Sequence, residues 1–312
     1  MKLPPYLKKG DKVAITCPAK KLSELPLDAI HLLESWGLEV VLGKTVHGAH
    51  HQFSGTDAER AADLQQFLDD ESIKAIFAAR GGYGTIRIID RLDFSSLAAQ
   101  PKWIVGFSDI TVLHAHLQAQ LNLCSLHAQM PLTIPDGSSE SLKSLHAALF
   151  GETLSYSYES QTQGRNGVAS GELIGGNLAI MRALSGSVSE PDYRGKILFL
   201  EDVGEYYYAV DRLLWALKRS GKLAEIAGLI IGGFTGLEDN EPPFGESVAD
   251  IVLALTAEYN YPIAFDFPAG HLPDNRALIL GKHVTLEVTN THTHLQLFRG
   301  AGRSFESDSP ST

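Results

Sequence analysis

A serine, a glutamate and a histidine, which together could act as nucleophile, carboxylate and base, each occur in a distinctive sequence setting. Ser108 follows the apolar run Trp103–Phe107, and apolar residues after it recur at helical spacing. A serine in a tight strand-to-helix turn is held out of the core, beside the backbone N–H groups of the first helical turn. A nucleophile would be built in this way. On this segment alone, a simple N-cap role for Ser108 is the more ordinary interpretation.

A serine nucleophile needs a base to take its proton and a carboxylate to orient that base. Glu201 directly follows a strand predicted at 196–200, and this strand would hold the Glu201 carboxylate at the rim of a sheet. His271 lies in the loop Pro268–Pro273, where two prolines and Gly270 restrict the backbone. Taken singly, Glu201 could be a solvated strand end and His271 a surface histidine, because both residue types are common at surfaces.

The pair Gly81-Gly82 follows a strand predicted at 75–79 and could bring backbone amides close to a ligand. A phosphate site is disfavoured because no Lys-Ser/Thr pair follows, and a dinucleotide site because the G-x-G-x-x-G spacing is absent. Two interpretations stay open. The pair forms an oxyanion hole, which needs only one or two N–H groups, or it forms a tight turn.

Metal ligands are not arranged in any familiar pattern. His114 and His116 stand two residues apart on a predicted helix, so they face different sides. The other histidine clusters have no acidic residue at H-E-x-x-H spacing. We expect neither a metal nor another cofactor.

The elements that would position these residues begin with alternating strands and helices up to about Phe150. This alternation predicts an α/β fold with a doubly wound, mainly parallel sheet and helices on both of its faces. Ligands bind beyond the carboxyl ends of the strands in such sheets, so Ser108 and the Gly81-Gly82 turn should meet at one rim. The predicted strands are 13–16, 38–42, 75–79 and 103–107, and the predicted helices are 27–36, 57–68 with Thr56 as N-cap, and one from Gly84 toward Arg91.

The polar residues 155–167 are interpreted as a linker between two domains. An N-terminal α/β domain, 1–154, would carry Ser108, and a C-terminal mixed α/β domain, 168–302, would carry Glu201 and His271. The predicted strands of the second domain are 196–200, 226–231, 263–265, 284–288 and 294–298, and its predicted helices are 210–218 and 247–259. Residues 303–312 are polar and predicted to be frayed.

Composition narrows the class of protein. A chain of 312 residues is longer than a typical domain with a single hydrophobic core, so two domains are expected. Its net charge of −11 disfavours a nucleic-acid partner. The only two cysteines, Cys17 and Cys124, are far apart, which is typical of a reducing compartment. The N-terminus lacks the apolar core of a signal peptide, and no run approaches transmembrane length. We therefore expect a cytoplasmic protein without a membrane partner.

Read together, these segments resemble the serine LD-carboxypeptidases, also called murein tetrapeptide carboxypeptidases, and the related microcin-immunity peptidases. The resemblance runs from about Pro4 to Phe298. Each motif alone is a weak signal, but six in the same order form a specific one. They are Leu7–Ile15, Ala79–Gly84, Gly106–Thr111, Gly171–Leu178, Leu198–Asp202 with Asp211-Arg212, and Gly270-His271.

The resemblance implies a Ser-Glu-His triad in a cleft between two α/β domains. Ser108 would be the nucleophile, Glu201 the carboxylate and His271 the base. The N–H of Asp109 and one from the Gly81-Gly82 turn would form the oxyanion hole.

Three further residues are candidates for binding substrate, from their placement: Arg80, Tyr83 and Asn177. Asn177 is also a plausible helix N-cap. The family reaction removes a terminal D-amino acid that follows an L-centre, typically D-alanine from a muropeptide recovered in the cytoplasm during peptidoglycan recycling. It needs no cofactor, and family members are commonly homodimers.

The chain departs from the family pattern at His127-Ala128-Gln129, where many members have His-Gly-Pro. This departure concerns the local backbone near the cleft and leaves the triad intact. The segment around Ser108 also lacks the second glycine of the lipase-type G-x-S-x-G turn, which disfavours a lipase or esterase.

Two alternatives remain. A microcin-immunity-type peptidase acting on a peptide-nucleotide antibiotic would need an aromatic ring free to stack on a nucleobase. Trp36, Trp103 and Trp215 all lie in apolar stripes or strands, so this alternative is disfavoured. A catalytically silent binding protein on the same fold is disfavoured by the intact set of serine, glutamate and histidine.

Overall fold

The computed structural model describes residues 1–297, which contain thirteen strands and nine α-helices. The strands are β1 Lys12–Thr16, β2 Glu39–Leu42, β3 Ile73–Ala78, β4 Trp103–Gly106, β5 Ser125–His127, β6 Ser155–Tyr158, β7 Gly167–Asn177, β8 Ile197–Val203, β9 Gly228–Thr235, β10 Ile263–Ala264, β11 Leu278–Leu280, β12 His283–Val288 and β13 Thr293–Leu297. The helices are α1 Leu27–Ser35, α2 Asp57–Asp69, α3 Ser95–Ala99, α4 Thr111–His116, α5 Ser139–Phe150, α6 Leu178–Ala183, α7 Tyr207–Arg219, α8 Lys222–Glu225 and α9 Val248–Leu255. The tail predicted to be frayed, 303–312, lies outside the described residues.

The first sheet has six strands in the order β2-β1-β3-β4-β5-β11. Strands β1 to β5 are mutually parallel, and β11 pairs antiparallel with β5 at the edge. Leu33 of α1 and Leu149 of α5 pack into the core on one face, whereas Leu64 of α2 and Val112 of α4 pack into the core on the other. The doubly wound, mainly parallel sheet predicted from the sequence is therefore confirmed.

The second sheet has seven strands in the order β10-β9-β8-β7-β12-β13-β6. Strands β7 to β10 are parallel, and β12, β13 and β6 complete the sheet with antiparallel pairs. Met181 of α6, Leu214 of α7 and Val252 of α9 cover one face. This is the mixed α/β arrangement expected of the second half. No helix in the described part of the chain is both long and apolar enough to cross a membrane.

One apolar cluster joins the two sheets. It contains Phe77 and Val105 from the first sheet and Phe199 and Ile230 from the second, all completely buried. Strand β11 comes from the second half of the sequence but pairs with β5 of the first sheet. Strand β11 therefore crosses the predicted division at 155–167. It comes after that division in the sequence, yet it is fully buried and covers the edge of β5 in the first sheet.

The segment predicted as a linker, 155–167, is partly a strand of the second sheet. Strand β6 pairs with β13, and the Tyr156 hydroxyl donates to the backbone oxygen of Ala277 at 2.5 Å. Arg165 exchanges two backbone hydrogen bonds with Ile263, each of 3.0 Å. The alternation of serine with tyrosine in β6 is a strand pattern, which the overall polarity of the segment hides.

Several local expectations need correction. The helix expected from Gly84 toward Arg91 is two 3₁₀ turns, Thr85–Arg87 and Ile89–Arg91. Helix α9 is shorter than predicted and ends at Leu255. By contrast, Thr56 caps α2 as predicted, in a reciprocal capping box.

We expect residues 1–154 expressed alone not to fold cooperatively. The fragment would expose the edge of β5 and the apolar face that contacts Phe199, and a free edge and an exposed core both disfavour the folded state. Urea unfolding followed by near-ultraviolet circular dichroism of the fragment and of the full chain measures this. A single sharp transition in the fragment would contradict the expectation.

Candidate active site

Ser108 stands in a strained turn between β4 and α4. Its φ is +64°, in the left-handed region that non-glycine residues adopt at a cost of about 1–3 kcal/mol. The preceding Gly106 also has positive φ, +158°, and a Cβ there would lie 2.9 Å from Cγ1 of Ile110. Ser108 is the first residue of a 3₁₀ turn, Ser108–Ile110, whose N-cap is Phe107, and the N-cap of α4 is Ile110, so the N-cap interpretation of Ser108 is wrong. The turn instead leaves its hydroxyl available outside the helix.

His271 follows the last parallel strand of the second sheet, β10, and its ring faces the nucleophile. Its Nε2 lies 3.1 Å from Oγ of Ser108. The ring packs edge-to-face on Phe107, with centroids 4.9 Å apart. The backbone oxygen of His271 accepts a hydrogen bond from Oγ1 of Thr235 at 3.2 Å. These contacts fix both the ring and the main chain.

The His271 loop is also tied to the first half of the chain. The backbone oxygen of Pro273 accepts hydrogen bonds from the Ser138 N–H and from Nε2 of Gln129, each of 2.9 Å. The Ser138 hydroxyl donates to Asp274 at 2.7 Å. The loop therefore spans both sheets.

Glu201 reaches the other side of the histidine ring. Its Oε2 lies 2.6 Å from Nδ1 of His271, and its side chain is completely buried. Glu201 lies within β8 and not after it, at a point where the pairing with β9 shifts register between Leu200 and Asp202. Bulges of this kind re-aim side chains next to active sites.

The alternation of β8 decides which of two adjacent carboxylates faces the histidine. Phe199 and Glu201 point toward the core shared by the two sheets, and Asp202 points the opposite way. Asp202 accepts hydrogen bonds from Asn177 Nδ2 at 2.8 Å and from the Ala179 N–H at 3.0 Å. Burial raises the pKa of Asp202 despite these bonds. A register slip of one residue would exchange the two carboxylates.

The geometry allows one direction of proton transfer. A carboxylate at Nδ1 favours the tautomer with its proton on that nitrogen, so Nε2 is free to accept from the Ser108 hydroxyl. The three predicted residues are thus brought into one hydrogen-bonded line, from Glu201 through His271 to Ser108. Such a line can activate a serine for attack on a carbonyl.

The two candidate glycines occupy different positions. A Cβ at Gly81 would lie 3.0 Å from the Ser108 Cβ and 3.4 Å from the Asp109 nitrogen, which is closer than most Cβ contacts in proteins. A Cβ at Gly82 would instead meet Cδ of Lys20 at 2.5 Å. The Asp109 carboxyl is turned away and accepts from the Thr85 N–H at 2.9 Å, and burial raises its pKa. The backbone of Gly81 and Asp109 therefore lies beside the nucleophile.

Asn177 is the helix cap that the sequence predicts. Its Oδ1 accepts from the Ile180 N–H at 3.1 Å, and its Nδ2 donates to Asp202. The side chain is almost completely buried, and both ends of the amide are used within the protein. Its contribution is therefore to fix α6 beside β8.

A cationic rim surrounds the Gly81-Gly82 turn. We use this name for Lys20, Lys21 and Arg80. Arg80 Nη1 donates to the backbone oxygen of Lys21 at 3.0 Å. No carboxylate within residues 1–297 forms an ion pair with any of the three, although the chain carries a net charge of −11.

Lys20 and Lys21 are not among the residues predicted from the sequence to bind substrate. They follow the end of β1 by four and five residues, at the same edge of the sheet as Ser108, and this position was an available signal. Tyr83 also belongs to this edge, is 44% exposed and has its ring 6.1 Å from that of Phe53.

The two histidines of α4 serve the fold. The His114 ring lies between Oγ of Ser125 at 2.9 Å and the backbone oxygen of Gly106 at 2.8 Å, and complete burial lowers its pKa to about 4. His116 instead contacts Oγ of Ser189 at 2.8 Å. No group of three or more histidine, cysteine or acidic residues in the described range could hold a metal ion.

Comparison with known proteins places both halves of the chain. Residues 13–128 match the model of the LD-carboxypeptidase N-terminal domain, and residues 170–286 match that of the LD-carboxypeptidase C-terminal domain. A probable murein peptide carboxypeptidase of Bacillus subtilis (strain 168) is 36% identical over 284 residues, which cover 89% of this chain and 89% of that protein.

Solved structures share the fold. Muramoyltetrapeptide carboxypeptidase from Oxalobacter formigenes superposes with a TM-score of 0.84 at 29% identity, covering 92% of this chain and 98% of that one. The microcin C7 self immunity protein MccF in its wild-type apo state superposes with a TM-score of 0.83 over 95% of this chain and 98% of that one. At 20% identity, the second likeness is one of fold.

The strain at Ser108 predicts that Ser108→Gly is more stable than Ser108→Ala by about 1 kcal/mol, because only glycine adopts the left-handed conformation without cost. Both variants lack the hydroxyl, so the comparison isolates the backbone. Urea unfolding at 25 °C measures the difference. An alanine variant as stable as the glycine variant would show that the turn is not strained.

Proposed function

Because this chain is a serine-type carboxypeptidase of the LD-carboxypeptidase family, we propose that it removes the terminal D-alanine from murein tetrapeptides in peptidoglycan recycling. The observation that carries the proposal is the hydrogen-bonded line from Glu201 through His271 to Ser108. In this proposal Ser108 is the nucleophile, His271 the general base and acid, and Glu201 the carboxylate that orients it.

The acylation step follows from this line of contacts. As Oγ of Ser108 bonds to the scissile carbonyl carbon, His271 Nε2 takes the hydroxyl proton and the carbonyl oxygen becomes an oxyanion. The Glu201 carboxylate accepts the hydrogen bond that His271 donates through Nδ1, and its negative charge stabilises the imidazolium. The C–N bond then breaks, and the Nε2 proton passes to the amine of the departing D-alanine.

Deacylation runs the same chemistry with water. His271 Nε2 takes a proton from the water as its oxygen attacks the ester carbonyl. Collapse of this second oxyanion breaks the bond to Oγ, and the proton on Nε2 returns to Ser108. The enzyme is regenerated, and the shortened peptide leaves with a new carboxylate.

Backbone donors would stabilise both oxyanions. We assign this role to the N–H groups of Asp109 and Gly81, whose backbones lie against Ser108. The N–H groups in the first turn of a helix have no partner within the helix. Loss of one such donor costs about 10²–10³-fold in rate. Gly82, the other candidate, faces Lys20.

The cationic rim is proposed to recognise the free carboxylate of the terminal residue. A carboxypeptidase must distinguish a chain end from a chain interior, and the charge of the terminal carboxylate is the feature that differs. Arg80 directly precedes Gly81, whose backbone lies beside Ser108. The Arg80 side chain therefore extends from a residue next to the nucleophile. Tyr83 would add an exposed ring at the same edge.

The proposed location is the cytoplasm, with the protein acting as a homodimer. Cys17 and Cys124 are free and buried. Burial raises the pKa of Cys17 to about 12 and that of Cys124 to about 11, so both thiols stay protonated and unreactive. Two cysteines that are not joined in a disulfide are typical of a reducing compartment, whereas the dimer is carried over from the family resemblance alone.

The microcin-immunity alternative has little support from the tryptophans. Trp103 is completely buried, and Trp36 packs on Phe150. Trp215 is 44% exposed, which corrects the expectation that it lies in an apolar stripe. Its ring lies beneath the Lys218 ammonium, at 5.7 Å, on a helix that covers the outer face of the second sheet.

The proposal is tested with L-Ala-D-Glu-diaminopimelate-D-Ala as substrate and mass spectrometry of the products. We expect the wild-type protein to release D-alanine and Ser108→Ala to lose about 10⁴-fold or more in rate, because the nucleophile is gone. Ser139→Ala, which alters an exposed serine of α5, is the matched control and should keep full activity. Substantial release by Ser108→Ala would exclude the mechanism, and no release by the wild type would exclude this substrate.

Arg80→Met tests carboxylate recognition. The substitution keeps most of the side-chain length and removes the charge. We expect kcat/KM for the tetrapeptide to fall about 10–100-fold, the worth of a hydrogen bond to a charged group, mainly through KM. For the same tetrapeptide with a C-terminal amide, Arg80→Met should lower kcat/KM far less, because the amide has no terminal carboxylate.

Arg194→Met, which removes an exposed arginine paired with Asp192, is the control and should change neither value. If Arg80→Met discriminated between acid and amide as well as the wild type does, Arg80 would have no part in binding the carboxylate.

A further inference from the structure

The peptide group that joins Gly84 to Thr85 is held at both of its ends by buried charged side chains. It closes the glycine turn, the name we use for residues 81–85. Arg60 Nη1 donates to its oxygen at 2.9 Å, and its N–H donates to Oδ2 of Asp109 at 2.9 Å. Hydrogen bonds to a charged partner are stronger than those between neutral groups. The far end of the glycine turn is therefore firmly fixed.

Arg60 can hold this end of the turn because its own side chain is fixed. It is fully buried on α2, where Nη2 donates to Asp57 at 2.5 Å and Nε donates to the backbone oxygen of Gly55 at 3.3 Å. The guanidinium also lies over the Phe53 ring, 4.9 Å from its centroid. A Cβ at Gly84 would lie 2.9 Å from Arg60 Nη1, so the turn and the guanidinium are in close contact.

Asp109 contacts the glycine turn at both of its ends. Its carboxylate accepts from the Thr85 N–H, and its backbone nitrogen lies 3.4 Å from the position that a Cβ on Gly81 would take. The residue is 1% exposed. Because Asp109 directly follows Ser108 in the chain, these contacts join the glycine turn to the backbone of the proposed nucleophile.

The middle of the glycine turn depends on the bonds at its ends. Ala79, just before it, is held by two backbone hydrogen bonds of 2.7 and 2.9 Å. Across residues 1–297, the N–H groups of residues 80–83 form no hydrogen bond with another backbone group. Gly82 and Gly84 have φ of +113° and +138°, and glycines are conformationally permissive. The position of the Gly81 N–H is therefore set from outside the turn.

The bond between Asp109 and the glycine turn can be removed selectively. Oδ2 bonds to the Thr85 N–H, whereas Oδ1 has no hydrogen bond of good geometry within residues 1–297. Leucine and asparagine both share the branch of aspartate at Cγ, and of the two only asparagine carries an acceptor there. This pair of substitutions therefore separates the hydrogen bond from the space that the side chain fills.

We propose that the Asp109 carboxylate is a positioning residue for the Gly81 N–H. It holds the Thr85 N–H while Arg60 holds the Gly84 oxygen, and together they fix the glycine turn against Ser108. The Gly81 N–H is thereby kept at the site of the oxyanion. This role rests on the Ser108 mechanism and the oxyanion hole proposed above, and it is independent of which peptide is cleaved.

The test uses a fluorophosphonate probe, because its reaction needs the nucleophile and the oxyanion donors but no peptide. Ser108 Oγ bonds to phosphorus, fluoride leaves, and His271 takes the hydroxyl proton, while the phosphoryl oxygen occupies the oxyanion site. We expect Asp109→Leu to lower the second-order labelling rate about 10-fold, which is part of the 10²–10³-fold that a whole oxyanion donor contributes. The melting temperature, measured in parallel, shows whether the variant is folded.

Asp109→Asn is the conservative variant. Its amide oxygen can still accept from the Thr85 N–H, so it should recover most of the rate that Asp109→Leu loses. Asp93→Leu is the matched control. It removes a carboxylate that accepts from the Ser95 N–H at 2.8 Å, just before α3 and outside the site, and it should label like the wild type.

Peptide hydrolysis supplies a second readout. With the tetrapeptide as substrate, the loss in Asp109→Leu should fall on kcat per labelled site and leave KM nearly unchanged, because the oxyanion forms only in the reaction. A residue needed only for folding would lower the number of labelled sites and leave kcat per site at the wild-type value.

A folded Asp109→Leu protein that labels at the wild-type rate would overturn the positioning role. A folded Asp109→Asn protein that loses as much rate as Asp109→Leu would also overturn it, since the hydrogen bond is retained. If Asp109→Leu does not fold, Asp109→Ala takes its place with the same expectation. Wild-type labelling that does not depend on Ser108, measured against Ser108→Ala, would instead overturn the proposed mechanism and this inference together.

Discussion

The antiparallel pairing of β11 with β5 is the contact on which the site depends. It brings Leu278 opposite His127 and so returns the chain from the second sheet to the first. His271 lies in the loop just before this strand. Because Ser108 belongs to the first sheet and Glu201 to the second, the histidine can bridge them only if its loop is fixed to both. The buried edge strand supplies that constraint, and the core shared by the two sheets keeps the distance constant.

The site combines several arrangements that oppose stability. Ser108 has a left-handed backbone, Glu201 is a fully buried carboxylate, and His127 buries two ring nitrogens without good partners. The surrounding structure offsets these costs. The His114 ring forms a hydrogen bond with the backbone oxygen of Gly106. The imidazole of His271 forms one with a carboxylate oxygen of Glu201. In the proposed mechanism, groups held in this way need little rearrangement when charge develops during the reaction.

Much of the fold could be predicted from local pattern. The capping box at Thr56, the apolar strand before Ser108 and the late pair β12–β13 all have signals within a few residues, and each forms close to its predicted bounds. Long-range pairing could not be read in this way. Strand β11 is three apolar residues with no sign of which sheet it joins, and β6 is hidden by its serines.

The sequence by itself determined the order of its motifs and, through their resemblance to a family, predicted Ser108, Glu201 and His271 as the candidate site residues. Only the tertiary structure decided which groups those residues meet. It set the face of β8 on which Glu201 lies, and it placed Lys20 beside the Gly81-Gly82 turn. Local patterns arise from neighbours a few residues apart, whereas these contacts join residues more than sixty positions apart, and they form only when the two sheets bury their common core.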